Sequence, residues 1–499
     1  MTLDILTWIF SASLIHIMCV AFVMYYCLIR RRDGNSSLLW IFLTWSFPLF
    51  GFLLFLFFGL YRLPRKGWEK HCSDQRLLSA RETRERSRTE LFHWHSVHDS
   101  AVANLDLEAH PFAALFNRAI DAIDEFCPLL AGNRVSLLVD GDQAYPQMLE
   151  AISRARHHVH LQSFIIGNDE VGRQFLDALA ERARHGVQVK VMYDNLGCTK
   201  ARWGRLFAGY RKIPNFRLLA WTQLNPFKLE FQVNLRNHRK ILVVDGREAF
   251  VGGLNISRHN LAQAGQAPIR DYHFHVQGPA VQDLQYAFLR DWHYMAEDEP
   301  ADLLTKAHFP ELQPRGQAAV RVINSGPTAD EMEAIANVFF NAITVARQSV
   351  LIVTPYFVPF RDILQALRGA AMRGVRVRIV VPSQNNHVYA GWAGRSLYEE
   401  LLRAGVEVYE RRPPFIHAKA MLVDGALALV GTANLDACSL RLDYETNIAV
   451  FDESLVRELQ LVVEREIADS QRIELNEWLR RPTHNILMEN FCGLLSPIL

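Results

Sequence analysis

Two histidine–lysine pairs, His238 with Lys240 and His417 with Lys419, are the residues of this chain best suited to chemistry. Each opens the same pattern, His-x-Lys-x4-Asp-x6-Gly-[Gly/Thr]-x-Asn. The first copy continues through Asp245, Gly252 and Gly253 to Asn255, the second through Asp424, Gly431 and Thr432 to Asn434. One copy would be unremarkable at a polar strand end. Two copies, 179 positions apart and with apolar residues in the same slots, mean two half-sites. An imidazole can attack phosphorus or carry a proton, and ammonium and carboxamide donors can surround the non-bridging oxygens of a phosphodiester and its pentacovalent transition state. One half supplies a nucleophile without a facing acid; the duplication supplies both. No metal is expected. An ammonium group beside each imidazole repels a cation, and no carboxylate cluster accompanies them.

The elements that position these groups follow from local pattern. Lys240-Ile-Leu-Val-Val and Lys419-Ala-Met-Leu-Val read as strands, so residues two apart share a face and each histidine points with its lysine. Asp245-Gly246 and Asp424-Gly425 mark turns. The two aspartates enter the candidate catalytic set through this role, fixing the turn or pairing with a nearby basic group. The returning runs then bring Asn255 and Asn434, candidate phosphate ligands, back toward the histidines, and the glycines beside them let a backbone approach a bound group. Each histidine also needs a group to hold its tautomer. Asp271 and Glu445, 26 and 21 residues beyond the motif aspartates, are the candidates.

The halves are similar upstream of the motifs as well. Ala155-Arg156 precedes a β-branched run through Val159 and Leu161, a helical stretch, and a second run from Gly186-Val187. Ala346-Arg347, Val350, Ile352 and Gly374-Val375 repeat this order. Strands alternating with helices imply parallel β-α-β units. The expected fold class is α/β, with two tandem α/β sandwich halves about a pseudo-twofold axis. The halves are expected at 112–300 and 318–482, with a linker at 301–317 and a C-terminal amphipathic segment at 483–499.

Half of the 499 residues are hydrophobic, and two apolar runs, 5–29 and 38–60, are each long enough to cross a ~30 Å hydrocarbon core. The first is too long for a signal peptide and lacks a basic start, so residues 1–60 read as a two-helix transmembrane hairpin. His16, in mid-span, is expected to be neutral and to face the partner helix. Residues 61–111 read as a juxtamembrane linker. Arg30, Arg31 and Arg32 lie in the turn; Arg62, Arg65, Lys66, Lys70 and Arg76 follow the second span, by a small margin favouring a cytoplasmic body. A net charge of +1 argues against nucleic acid as a partner. Seven scattered cysteines with no Cys-x-x-Cys pair fit a reduced compartment without structural zinc.

The doubled motif resembles the phospholipase D superfamily, and the whole chain is similar to its bacterial cardiolipin synthases. The stretches that carry this are Leu235 to Gly246, Phe250 to Asn255, Gln277 to Gln285, Thr354 to Pro359, Leu429 to Asp436 and the closing Leu494 to Leu499. Cys438-Ser439-Leu440 departs from the family's usual Arg-Ser-Leu. The resemblance implies phosphatidyl transfer between two phosphatidylglycerols in the bacterial inner membrane, giving cardiolipin and glycerol without cofactor, metal or nucleotide. It gives His238 the nucleophile role and His417 that of acid and base. A hydrolytic phospholipase D and a membrane-bound endonuclease of the superfamily are the alternatives.

Overall fold

The computed structural model describes residues 2–29, 34–56, 63–86, 111–123, 127–221, 236–262, 267–328 and 331–494. The chain divides into two compact units, Met1–Gly67 and Trp68–Leu499.

The first unit holds helices Thr2–Ile29, Gly34–Ser46 and Pro48–Leu54. The second apolar run is therefore not one continuous helix. Proline has no N–H to donate and crowds the residue before it, so Phe47 leaves the helical region (φ −134°, ψ 79°) and Pro48 begins a new helix. Val23, Cys27 and Phe55 form a small buried cluster, and the His16 ring lies 5.4 Å from that of Trp45. Among the described residues no helix is long and apolar enough to cross a membrane. The arginines of the turn, 30–32, and the end of the expected second span, 57–60, lie outside the described residues.

Among the described residues the second unit holds seventeen strands. The first half contributes β1 (Leu130–Val139), β2 (His158–Ser163), β3 (Gln188–Asp194), β4 (Phe216–Trp221), β5 (Ile241–Val244), β6 (Glu248–Gly252) and β7 (Tyr272–Gln277). The second contributes β8 (Ala318–Ser325), β9 (Ser349–Val353), β10 (Phe357–Val358), β11 (Arg376–Pro382), β12 (Glu407–Arg411), β13 (Ala420–Val423), β14 (Leu427–Gly431), β15 (Leu435–Asp436), β16 (Glu445–Phe451) and β17 (Ser470–Arg472). The first half runs β1-β7-β6-β5-β2-β3-β4 across its sheet. The second repeats that order as β8-β16-β14-β13-β9-β11-β12 and adds β17 at its edge.

Two features differ from the expectation. Within the large sheet only β2-β3-β4 and β9-β11-β12 are parallel, and the β5-β6 and β13-β14 hairpins make the strands around them antiparallel; β10 and β15 form a separate parallel pair. The halves also do not merely pack as separate sandwiches. Antiparallel pairing of β1 with β8, interrupted by a bulge between Leu130 and Asn133, joins them into one fifteen-stranded sheet. Helices cover both faces, so the central strands read as continuous apolar runs; all four residues of β5 and of β13 are buried. One core is shared by both halves, with Val281 and Leu284 of one helix and Leu455 and Leu459 of another packed against strands of each.

The 61–111 stretch is more than a solvated linker. Helix Leu63–Arg86 buries Lys70, Asp74, Leu77 and Arg81, a three-four spacing that places them on one face. The described part of 301–317 also packs inward, burying Leu303, Leu304 and Phe309. At the C-terminus, helix Thr483–Gly493 buries Glu489 and Cys492 while Leu487, Met488 and Phe491 stay exposed; residues 495–499 lie outside the described residues.

Candidate active site

The motif strands set the site at one edge of the sheet. β5 runs antiparallel to β2, with Gln162 opposite Ile241, so His238 and Lys240 lie at the end of β2; β13 places His417 and Lys419 likewise at the end of β9. The motif aspartates lie at the other edge. Asp245 accepts the backbone N–H groups of Arg156, His157 and His158 at 2.8, 2.7 and 3.0 Å, and Asp424 those of Arg347, Gln348 and Ser349 at 2.8, 2.7 and 2.9 Å. Five residues of extended chain, about 16 Å at ~3.3 Å each, separate each aspartate from its lysine. Asp245 and Asp424 therefore anchor the starts of β2 and β9, and as placed they do not touch reacting atoms.

Each histidine is oriented by the opposite half. His238 Nδ1 is 2.9 Å from Glu445 Oε1, and His417 Nδ1 is 2.7 Å from Asp271 Oδ2; both carboxylates are fully buried. The backbone repeats the exchange. His238 N–H donates to Tyr444 O at 2.9 Å, beside Glu445, and His417 N–H to Arg270 O at 2.7 Å, beside Asp271. A buried carboxylate accepting from Nδ1–H fixes the tautomer in which Nε2 keeps its lone pair for chemistry. Arg270 reinforces the exchange by bonding both Asp140 of its own half and Glu466 of the other.

The lysines sit inside this arrangement. Lys240 Nζ donates to His238 O at 2.7 Å, Lys419 Nζ donates to His417 O, and Lys419 Nζ is also 2.9 Å from His417 Nδ1. Burial lowers Lys240 to about 8 and Lys419 to about 7, and Lys240's charge adds to the effect on Lys419. Burial, then the adjacent ammonium, lowers both imidazoles, His417 to about 4. Burial by itself would raise Asp271 and Glu445. The Lys419 and His417 charges outweigh it for Asp271, as His238 and Lys240 do for Glu445, and both stay below the usual carboxylate range. The result is a carboxylate held below its usual range behind each imidazole.

The carboxamides are not equivalent. Asn255 accepts the Ile165 N–H at 3.1 Å through Oδ1, which leaves its NH2 group as a donor. Asn434 donates to Ser439 Oγ at 3.0 Å and also hydrogen-bonds the Asp436 carboxyl, and its buried Oδ1 has no partner. Ser439 follows the Cys438 that replaces the usual arginine, so the departure from the family pattern borders this contact.

The glycine after the first motif makes room for a carboxylate of the protein itself. A Cβ on Gly253 would lie 2.0 Å from Asp271 Oδ1. In the second half this slot is Thr432, whose hydroxyl donates to Glu445, the longer carboxylate. Gly253→Ala must therefore displace Asp271 and misalign His417, a residue of the other half. Overpacking of this kind costs about 1–3 kcal/mol of stability, and displacement of an aligned catalytic group by about 1 Å lowers rates about 100-fold, so turnover is expected to fall about 10- to 100-fold. Steady-state kinetics with a thermal melt check it; wild-type turnover would show that Asp271 moves freely.

Sequence reasoning missed the groups behind His238. Arg239, between the catalytic pair, is buried and reaches Asp291 at 2.8 Å and Glu445 O at 3.2 Å. Asp291 also accepts from Gln162 and Asn237, both at 2.8 Å, and pairs with Lys70 at 3.3 Å, while Lys70 binds Asp74 at 2.6 Å. A buried network of this kind adds little net stability but is costly to break, so it fixes geometry. The available signal was an asymmetry: arginine occupies the slot between His238 and Lys240, and Ala418 the one between His417 and Lys419.

A duplicated α/β body carrying paired His-Lys half-sites defines a phospholipase D-type phosphodiester enzyme. The profile described as "Cardiolipin synthase, PLD-like domain" matches residues 148–292 and 339–467. The major cardiolipin synthase of Bacillus subtilis is 34% identical over 477 residues, covering 94% of this chain and 95% of that protein. A cardiolipin synthase of Geobacillus kaustophilus is 32% identical over 490 residues, covering 96% and 92%. Among solved structures, a phosphatidylserine synthase of Haemophilus influenzae shares the fold, with a TM-score of 0.57 at 18% identity over 77% of this chain and all of that one. The chain belongs to the cardiolipin synthase family and is a phosphatidyltransferase acting on phospholipid.

Proposed function

We propose that the site transfers a phosphatidyl group from one phosphatidylglycerol to a second, making cardiolipin and releasing glycerol. His238 Nε2 attacks the phosphorus of the donor lipid while His417, protonated, gives its proton to the departing glycerol oxygen. The phosphorus–oxygen bond breaks as the phosphorus–nitrogen bond forms. His417 then takes the proton from a hydroxyl of the second phosphatidylglycerol, whose oxygen displaces His238 and closes the new diester. Each step exchanges one phosphoester link for another, so the scheme needs no nucleotide or metal. Lys240, Lys419 and the Asn255 NH2 neutralise the phosphoryl oxygens. The negative phosphate would raise the lowered pKa values of the lysines and of His417, favouring the protonated forms this chemistry requires.

The observation that carries the reading is the exchange of carboxylates, which makes each imidazole depend on the other half and both on one joint site. The bilayer supplies the substrate, and residues 1–60 are read as a hairpin anchor with the body on the cytoplasmic side. Leu14, Ile17, Met18, Tyr25, Leu38, Phe42, Trp45 and Leu49 support this; each is more than half exposed, an apolar surface that water does not favour.

Reversal separates synthase from hydrolase. Incubation of cardiolipin with excess isotope-labelled glycerol is expected to put label into phosphatidylglycerol, because His417 activates glycerol as readily as it protonates it on leaving. Formation of phosphatidic acid alone, with no label in lipid, would overturn the synthase reading and leave the two-histidine chemistry standing.

A further inference from the structure

The short segment after β3, Leu196 to Arg205, has properties that the transfer reaction does not use. Trp203, at the end of a five-residue helix, Thr199–Trp203, is 81% exposed, and Leu196 in the turn before it 46%. Lys200, Arg202 and Arg205 lie within three residues of Trp203 in the chain and are all exposed; among the described residues none forms an ion pair, and Arg202 donates to Asn195 O at 3.3 Å. An exposed indole on the same short segment as three exposed cations that lack a carboxylate partner among the described residues is unusual for a surface facing only water. Large apolar rings favour burial, and cations bordering them suit a medium that is apolar below and anionic above.

The segment is also tied to the site. β3 runs parallel to β2 and ends at the same sheet edge as His238. Cys198 Sγ accepts the Ile166 N–H at 3.1 Å and contacts Phe164 O at 3.5 Å. The Phe164 ring stands edge-on to the His238 imidazole at 4.7 Å. The matching stretch of the second half, after β11, differs. It exposes Val388 and Tyr389, but its arginine, Arg395, is neutralised by Glu410 at 2.8 and 2.7 Å. Of these two matching segments, the one with cations lacking an ion pair among the described residues therefore lies on the His238 side, an asymmetry in an otherwise duplicated body.

We propose that Leu196–Arg205 is a docking element for an anionic phospholipid surface, with Trp203 seated at headgroup depth and Lys200, Arg202 and Arg205 on lipid phosphates. It rests on the reading that the substrate is phosphatidylglycerol, and charge complementarity selects that surface over a neutral one. The element holds the His238 half against the lipid layer and raises the local concentration of anionic donor beside it.

The full-length protein is tested in mixed micelles at varied phosphatidylglycerol mole fraction, against Lys200→Glu/Arg202→Glu/Arg205→Glu and Trp203→Ser. A surface cation contributes about fivefold to binding of an anionic layer. Three such cations together contribute up to about 100-fold, so the triple variant is expected to need at least about tenfold more phosphatidylglycerol for half-maximal rate, with kcat retained and the difference shrinking in high salt. Trp203→Ser should shift the same parameter severalfold without the salt effect. An unchanged half-saturating fraction, or a loss confined to kcat, would overturn the proposal. A second measurement is independent of turnover: amine labelling of Lys200 in full-length protein in nanodiscs. Labelling should be several-fold lower with phosphatidylglycerol than with phosphatidylcholine, and equal labelling would overturn the docking element. Failure of the wild-type chain to make cardiolipin would instead count against the substrate reading, with the labelling ratio still deciding for or against the docking element.

Discussion

His238→Ala and His417→Ala are each expected to lower cardiolipin formation by at least about 10⁴-fold, and the double variant to be little worse than either. Groups acting as a unit give large, non-additive losses, because removing one leaves the other without a reaction to assist. Each imidazole is held by the opposite half, so the two make one device. Both variants should remain folded. The histidines are partly exposed at the site edge, and no hydrophobic core cluster includes them. Mass-resolved product assays with thermal melts provide the measurement. A double variant worse by the product of the single losses would mean two independent sites and would sink the joint mechanism.

Asp271→Asn and Glu445→Gln should each cost about 10³- to 10⁴-fold, the scale seen when a buried carboxylate behind a catalytic histidine is neutralised. Their signatures should differ. Glu445 orients His238, the proposed nucleophile, so Glu445→Gln should be equally slow with any leaving group. Asp271 orients His417, the proposed acid, so Asp271→Asn should recover most of its loss in the first-turnover nitrophenol burst from a nitrophenyl phosphodiester, whose leaving group departs without a proton. The opposite pattern would exchange the roles of the two histidines. Equal recovery in both would mean that the carboxylates do not act through separate imidazoles. Gly253→Ala, which crowds Asp271, should follow the Asp271→Asn pattern.

Much of the site was legible in the chain because its chemistry is written in a contiguous repeat. His238 and Lys240 share a strand face by alternation, and the turn aspartates follow from Asp-Gly at the strand ends. The roles of the aspartates were less legible. Asp245 and Asp424 recur with the motif as regularly as the histidines, yet they bind backbone amides of β2 and β9. Recurrence alone does not distinguish a reacting group from one that builds the strand carrying it. Asn434 carried the same signal as Asn255, and its NH2 group is engaged by Ser439 and Asp436.

By itself the sequence determined the duplication, the two His-Lys half-sites and the α/β character, because period-two strands, amphipathic helices and turn residues are local signals. Tertiary structure alone decided which carboxylate serves which histidine. Asp271 lies closer in sequence to His238 and Glu445 to His417, and the pairing is the reverse. It also decided that β1 and β8 fuse the halves into one sheet, that Arg239 reaches through Asp291 to Lys70, and that Gly253 makes room for a carboxylate. Each is a contact between segments far apart in the chain. Such contacts are set by which buried charges and hydrogen-bonding groups must find partners once the sheet has formed, and no local pattern in either segment records that choice.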